Sequence, residues 1–183
     1  MTQPDQTDPP PTSRMLSWVR NSAAYRLSKQ MMTEKQLGDA IARKARQKFE
    51  GITDNQLKAL SEAAIAFGKD MKALDDTAYA EIRTRSASRA GKSKKAISQK
   101  LVQKGVDRQI VQEAVAETDD LTAAIVFARK RAFGPFRRVE LDEKQKAKEL
   151  SAFARQGFSF EIGKRVLGME RDEAEELLVS LPW

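Results

Sequence analysis

The sequence has no cysteine and no histidine, and those two absences exclude much familiar chemistry. Without Cys there is no disulfide framework, thiolate zinc site, iron–sulfur cluster or thiol nucleophile; without His there is no Ser-His-Asp triad and no imidazole base. An enzyme built from these residues would have to run on carboxylates, Lys or Tyr. Aromatic residues are scarce too, with 8 Phe, 2 Tyr and 2 Trp in 183 positions, so a core is expected to lean on Ala, Leu, Ile and Val. No stretch approaches the run of about 18 uncharged apolar residues that a membrane span requires. Residues 1–13 hold four of the 6 prolines and two Asp with no apolar run, the opposite of a secretory leader. They read as a disordered tail, and the default location is the cytoplasm.

What is present is charge and helical periodicity. From about residue 15 onward the apolar residues recur at intervals of three and four, the spacing of one helix face. Leu121, Ala124, Ile125 and Ala128 form the longest such set; Ile110, Ala114 and Val115, then Leu150, Phe153 and Ala154, make shorter ones. Thr33-Glu34-Lys35-Gln36 and Thr53-Asp54-Asn55-Gln56 have the form of capping boxes, in which the hydroxyl and the Gln side chain each satisfy the other residue's backbone N–H. Asp107, Asp119 and Ser159 suit plain N-caps. Helices are therefore expected near 16–30, 33–48, 53–67, 77–89, 92–104, 107–117, 120–132, 143–156, 159–167 and 171–180.

Three segments repeat a glycine, an apolar residue, a capping residue and then a helical apolar pattern: Gly51-Ile52-Thr53, Gly105-Val106-Asp107 and Gly157-Phe158-Ser159. Gly suits the left-handed residue that ends one helix, and the apolar residue before the cap can staple onto the next. Three helices are the least that can enclose a small core. The expected fold is accordingly all-α, an elongated tandem array of three three-helix repeats, with boundaries at 14–70, 71–118 and 119–183 after the tail.

The 33 Lys and Arg outnumber the 26 Asp and Glu to leave a net charge of +7, and the excess is unevenly placed. Residues 83–108 carry nine basic residues (Arg83, Arg85, Arg89, Lys92, Lys94, Lys95, Lys100, Lys104 and Arg108) against Asp107 alone. Arg129, Lys130, Arg131, Arg137 and Arg138 add a second acid-free cluster, so the rest of the chain is net acidic. Compensating acids at i±4 are missing across 83–106, which a merely solvated helix face would need to quiet its own repulsion. A concentrated basic surface of this kind attracts phosphate backbones and other polyanions. No aromatic residue interrupts 83–108, so base stacking on single strands is not expected there.

Asp75-Asp76 and Asp119-Asp120 are paired carboxylates of the sort that bind divalent cations or transfer protons. Each pair directly precedes a predicted helix, where Asp caps backbone N–H groups, and capping is the reading adopted. Gly134-Pro135-Phe136 reads as a loop that lacks the Lys-Ser/Thr ending of a phosphate loop. Trp18 and Trp183 lie near the ends, and Trp183 could pack on the third unit or anchor a partner.

The stretch Ser86–Ile110, with Arg89, Gly91, Ile97, Leu101, Lys104, Gly105, Val106 and Asp107, resembles the central signature of the RecX family of recombination regulators. Leu74-Asp75-Asp76-Thr77-Ala78-Tyr79-Ala80 is similar to the segment that precedes that signature, and Phe153-Ala154-Arg155-Gln156-Gly157-Phe158-Ser159 to the family's C-terminal Arg-Gly-Phe motif. The likeness runs from residue 22 to about 167. It departs at Gln30 and at Thr33-Glu34-Lys35-Gln36-Leu37, where the family usually has Arg and then Ser-x-x-Glu-Leu, and at Gln156, where a second Arg is usual. Thr and Gln keep the capping chemistry. The resemblance implies tandem three-helix units and a non-enzymatic regulator that binds the RecA recombinase filament and inhibits its ATPase, strand-exchange and coprotease activities. Recombination, DNA repair and the SOS response would be modulated in consequence.

The residues expected to carry binding are Arg83, Arg85, Arg89, Lys92, Lys94, Lys95, Lys100 and Lys104. The expected partners are the RecA filament and single- or double-stranded DNA through its phosphates; no cofactor, metal or membrane is expected, and the protein is expected to be a monomer. The alternative is a DNA-binding helical protein of transcriptional or architectural type that reads its capped helices as helix-turn-helix elements.

Overall fold

The computed structural model describes residues 9–179, and those residues contain ten α-helices and no strand. Trp183 and residues 1–8 of the expected tail lie outside that range. The helices are α1 (Ser13–Lys29), α2 (Glu34–Lys48), α3 (Asp54–Asp70), α4 (Asp76–Arg89), α5 (Lys94–Gln103), α6 (Arg108–Val115) and α7 (Asp120–Arg131). A 3-10 turn at Gly134–Phe136 precedes α8 (Glu143–Arg155), α9 (Phe160–Leu167) and α10 (Arg171–Val179). Each expected helix is present. The first begins at Ser13, because the Thr12 side chain accepts from the Met15 N–H and starts the helix earlier than its apolar pattern shows.

Both capping boxes form: at α2 the reciprocal Thr33 and Gln36 bonds are each 3.1 Å, and at α3 the Thr53 and Gln56 bonds are each 3.2 Å. Asp119 and Ser159 cap α7 and α9. Gly51, Gly105 and Gly157 all take positive φ, at 70°, 88° and 86°.

The chain divides into two compact units, one running to Tyr79 and including Lys104–Asp107, the other taking Ala80–Gln103 and the residues from Arg108 on. In the first unit α1, α2 and α3 enclose Val19, Leu37, Ile41, Leu60 and Ala64, with Trp18 edge-on to Phe49 at 5.3 Å. In the second, α7 is buried on every side from Ala123 to Ala128, more than the single face that its spacing predicted. Four phenylalanines meet here. Phe127, Phe133, Phe153 and Phe158 pack ring against ring at centroid distances of 5.2 to 6.5 Å, set among Ala, Val, Ile and Leu side chains that make up most of this core, as the composition implies.

Two other expected faces are shifted by a residue. On α6 the buried residues are Val111 and Val115, with Ile110 and Ala114 half-buried; on α8 Phe153 is buried but Ala154 is exposed and Glu149 takes the interior position. In short helices with few apolar residues, several faces fit the pattern almost equally well, and packing decides among them.

The same pair of joints is made twice, once in each compact unit. In the first, the Thr33 hydroxyl donates to the Lys104 carbonyl at 2.5 Å, and the Asp76 carboxylate accepts from the Glu34 N–H at 2.9 Å. In the second, the Ser93 hydroxyl donates to the Gln156 carbonyl at 2.6 Å, and Asp120 accepts from the Lys94 N–H at 2.6 Å. Each joint ties the start of one helix to the end of a later helix and the start of another. Gly105 and Gly157 make the approach possible: a Cβ on Gly105 would lie 2.3 Å from the Lys35 Cβ, and one on Gly157 would lie 2.7 Å from the Ser93 Oγ.

Candidate polyanion and partner surface

The eight residues singled out by charge fall in four places. Arg83, Arg85 and Arg89 project from α4, Lys92 lies in the α4–α5 turn, Lys94, Lys95 and Lys100 belong to α5, and Lys104 follows α5. The two compact units divide them, since Lys104 belongs to the first and the other seven to the second. Arg83, Arg85, Arg89, Lys92, Lys95 and Lys100 are exposed, whereas Lys94 and Lys104 are half-buried.

Their chemistry is not uniform. The Lys94 ammonium donates to the Ala116 carbonyl at 2.9 Å, just beyond the end of α6, and so helps to hold α6 in place. Lys92 donates to the Gln156 Oε1 at 3.2 Å. A second Arg at position 156, as in the usual family pattern, would set like charges together there. Arg85, Arg89, Lys95, Lys100 and Lys104 form no ion pair with any carboxylate among the described residues, so their charge is not neutralised within the fold.

The second basic cluster needs a correction. Arg137 is not part of a free cationic surface: its guanidinium grips Glu149 through two bonds of 2.8 Å, with side-chain exposures of 13% and 0%. Glu149 also accepts from the Gly134 N–H at 3.0 Å and the Gln145 side chain at 2.9 Å. Burial alone would push the Glu149 carboxyl up, but these donors, with Arg137 foremost, outweigh it and hold the group below its ordinary value of 4.5. The arrangement pins the Gly-Pro-Phe turn to α8. The sequence signal was weak because Arg137 and Glu149 sit 12 residues apart, on either side of a stretch with no helical register.

What the fold does assemble is a cleft of about 580 Å3 in the second unit, bounded by α4, the end of α6, α7 and α10. Arg85 and Arg89 line it from α4 and Arg129 and Lys130 from α7, so two clusters far apart in sequence meet on one surface. Lys130 donates to the Ala90 carbonyl at 3.0 Å and so links the ends of α4 and α7.

The paired carboxylates prove to be structural, in a way only half expected. Asp75 accepts from the Ala78 N–H of its own helix at 2.9 Å, and Asp119 accepts from Leu121 and Thr122 of its own. Asp76 and Asp120 reach instead to the N-termini of α2 and α5. Burial foremost, with Glu34 and Asp75 nearby, raises the Asp76 carboxyl above its ordinary value against the bond from the Glu34 N–H and the pull of Lys69. Among the described residues no cluster of three or more potential metal ligands occurs, and no helix is long and apolar enough to cross a membrane.

Fold and surface define the class: an all-helical protein of three-helix repeats that presents uncompensated cations around a cleft. The family profile described as RecX, second three-helix domain, matches residues 75–115, which span α4 to α6. A regulatory protein RecX from Agrobacterium fabrum (strain C58) is 64% identical over 172 residues, covering 94% of each chain. Another from Myxococcus xanthus (strain DK1622) is 34% identical over 158 residues, 82% of this chain and 84% of that one. The crystal structure of RecX from Lactobacillus salivarius shares the fold with a TM-score of 0.64 at 21% identity, over 93% of this chain and 100% of that one. The chain belongs to the RecX family, a family of regulatory proteins and not of enzymes.

Proposed function

We propose that the protein docks on RecA recombinase filaments and inhibits their ATPase, strand-exchange and coprotease activities, tempering recombination, DNA repair and the SOS response. It acts in the cytoplasm as a monomer, and its chain is organised as three-helix units at 14–70, 71–118 and 119–183. The observation that carries this reading is the 64% identity with a regulatory protein RecX along nearly the whole chain. The exposed cations supply a physical means: a nucleoprotein filament offers DNA phosphates and acidic protein surface together, and uncompensated Arg and Lys are drawn to both.

DNA-stimulated RecA ATPase with substoichiometric protein tests the reading. Inhibition is expected well below equimolar amounts, and no effect up to equimolar amounts would refute it. The triple variant Arg89→Glu, Lys95→Glu, Lys100→Glu changes exposed residues without ion-pair partners among the described residues, so it is expected to stay helical by circular dichroism and lose inhibition. Lys94 is left intact because its ammonium holds the end of α6. A protein that instead reads duplex DNA by itself would bind it tightly without RecA, with affinity falling steeply as salt rises.

A further inference from the structure

We propose that the cleft bounded by α4, the end of α6, α7 and α10 binds an acidic protein segment anchored by branched aliphatic side chains. This deepens the recombinase reading by naming the chemistry that the surface accepts, and it rests on that reading only for the partner's identity. The floor is apolar: Ala114, Ala123, Val126, Leu177 and Leu178 line it. The rim is cationic, with Arg85 and Arg89 on one wall and Arg129 and Lys130 on the other. At about 580 Å3 the volume suits a few side chains, within the range of ordinary ligand pockets.

Charge complementarity selects the occupant. Among the described residues two acidic ones line the cleft, Glu117 and Asp119, and Asp119 is already committed to the Leu121 and Thr122 N–H groups and the Thr122 hydroxyl. The balance on the rim therefore favours carboxylates. A nucleic acid would satisfy the rim but not the floor: its sugar-phosphate backbone has little apolar surface to bury on Val126 and Leu178, and among the described residues no aromatic lines the cleft to stack on a base. A peptide with leucine-like anchors between acidic residues satisfies both, following the usual pattern of an apolar pocket centre and a polar rim.

A second feature points the same way. Thr84 lines the cleft wall and is 5% exposed, and its Oγ1 has no hydrogen-bond partner among the described residues. Buried hydroxyls without partners are uncommon in folded proteins. Rotation about χ1 would let this one donate to a carboxylate or carbonyl oxygen of a bound segment. Polarity along α7 also orients the guest, since Glu117 and Asp119 lie near the start of the helix and Arg129 and Lys130 near its end. The more acidic end of the segment belongs at the α7 C-terminal end.

The test uses the full chain and a fluorescein-labelled acidic hexapeptide with two central leucines, read by fluorescence anisotropy. Its control is a twin with serine in place of both leucines. The leucine peptide is expected to bind saturably, at least about tenfold more tightly than its twin. Ser88→Trp, which fills the cleft from α4 without changing charge, is expected to weaken binding by a similar factor, as is Arg129→Glu on the rim. Equal binding of the twins would overturn the proposal, and so would displacement of the peptide by a hexameric oligothymidylate. Full binding by Ser88→Trp would also overturn it; should that variant lose helicity, Arg129→Glu at an exposed residue decides, with wild-type affinity refuting the cleft. RecA is absent from this assay, so its outcome is scored separately from the ATPase test.

Discussion

Replacing Glu149 by Ala is expected to be among the most destabilising single changes in the second compact unit. The carboxylate is fully buried and accepts four hydrogen bonds, two from Arg137 and one each from the Gly134 N–H and Gln145. Removing it strands a guanidinium that is only 13% exposed, and breaking one side of a buried pair costs about 3–5 kcal/mol. At roughly 4 °C per kcal/mol for a domain near 100 residues, the melting transition should fall by about 12–20 °C. The double variant Arg137→Met, Glu149→Leu removes both charges and leaves mainly the Gly134 N–H unsatisfied, a residual cost of about 1–3 kcal/mol. Thermal unfolding by circular dichroism should therefore rank the double variant above the single one. A single variant that melts within about 2 °C of wild type, or a double variant that melts below the single one, would refute the argument.

Acid titration gives an independent check on the same network. Because the folded Glu149 carboxyl is held below its ordinary value of 4.5, the unfolded chain takes up its proton first as pH falls. The stability it contributes is complete above pH 4.5 and is lost as pH drops through the lower folded value. Glu149→Gln cannot take part in that loss. Its deficit relative to wild type should be largest near neutral pH and should narrow steadily below pH 4.5.

The joints yield further predictions. Asp76 is held above its ordinary value chiefly by burial, so its charge is a cost in the folded state at neutral pH. Asp76→Asn, which keeps an acceptor for the Glu34 N–H, should be neutral or slightly stabilising by urea titration, whereas Asp76→Ala should lose about 1 kcal/mol through the orphaned N–H; equal loss in both would contradict this. Gly105→Ala meets Lys35 side-chain carbons at 2.3 to 2.8 Å in addition to the positive-φ penalty, while Gly51→Ala meets nothing within 4 Å. Gly51→Ala should cost about 1–2 kcal/mol and Gly105→Ala clearly more, and melting curves that fail to separate them would count against a close approach at Gly105. Thr33→Val removes both the cap on α2 and the bond to the Lys104 carbonyl, and should lower stability by about 2 kcal/mol in the same assay.

Much of the helix pattern was legible in sequence because its signals are local. Thr33 with Gln36, and Thr53 with Gln56, act across three residues, and the glycines that end helices sit beside the caps that start the next. The interior of the second unit was less legible. Six consecutive buried residues in α7 cannot be told from a single apolar face until the helices around them are placed, and the phenylalanine cluster draws its members from three separated stretches. For the surface, net charge located the exposed cations of α4 and α5 but could not distinguish Arg89 and Lys100, which have no ion-pair partner among the described residues, from Arg137, whose partner lies on α8. The cleft was invisible in one dimension, since Arg85 and Arg129 meet only after folding.

The joint at α5 bears directly on the anion binding proposed for this surface. A free helix N-terminus is a ready anion site, because unsatisfied N–H groups and the helix dipole both favour negative charge. The start of α5 lies in the middle of the basic segment, among Lys92, Lys94 and Lys95, and looks suited to a phosphate. Two of its first N–H groups are already engaged: Asp120 accepts from the Lys94 N–H and the Ser93 hydroxyl oxygen accepts from the Ala96 N–H. The Asp120 carboxylate also places a negative charge where a phosphate would have to sit. The anion recognition proposed above would therefore rest at this end of α5 mainly on side-chain charge, which is diffuse, tolerant of sequence and sensitive to salt. That behaviour suits the proposed docking along a RecA filament, which presents no single nucleotide to read.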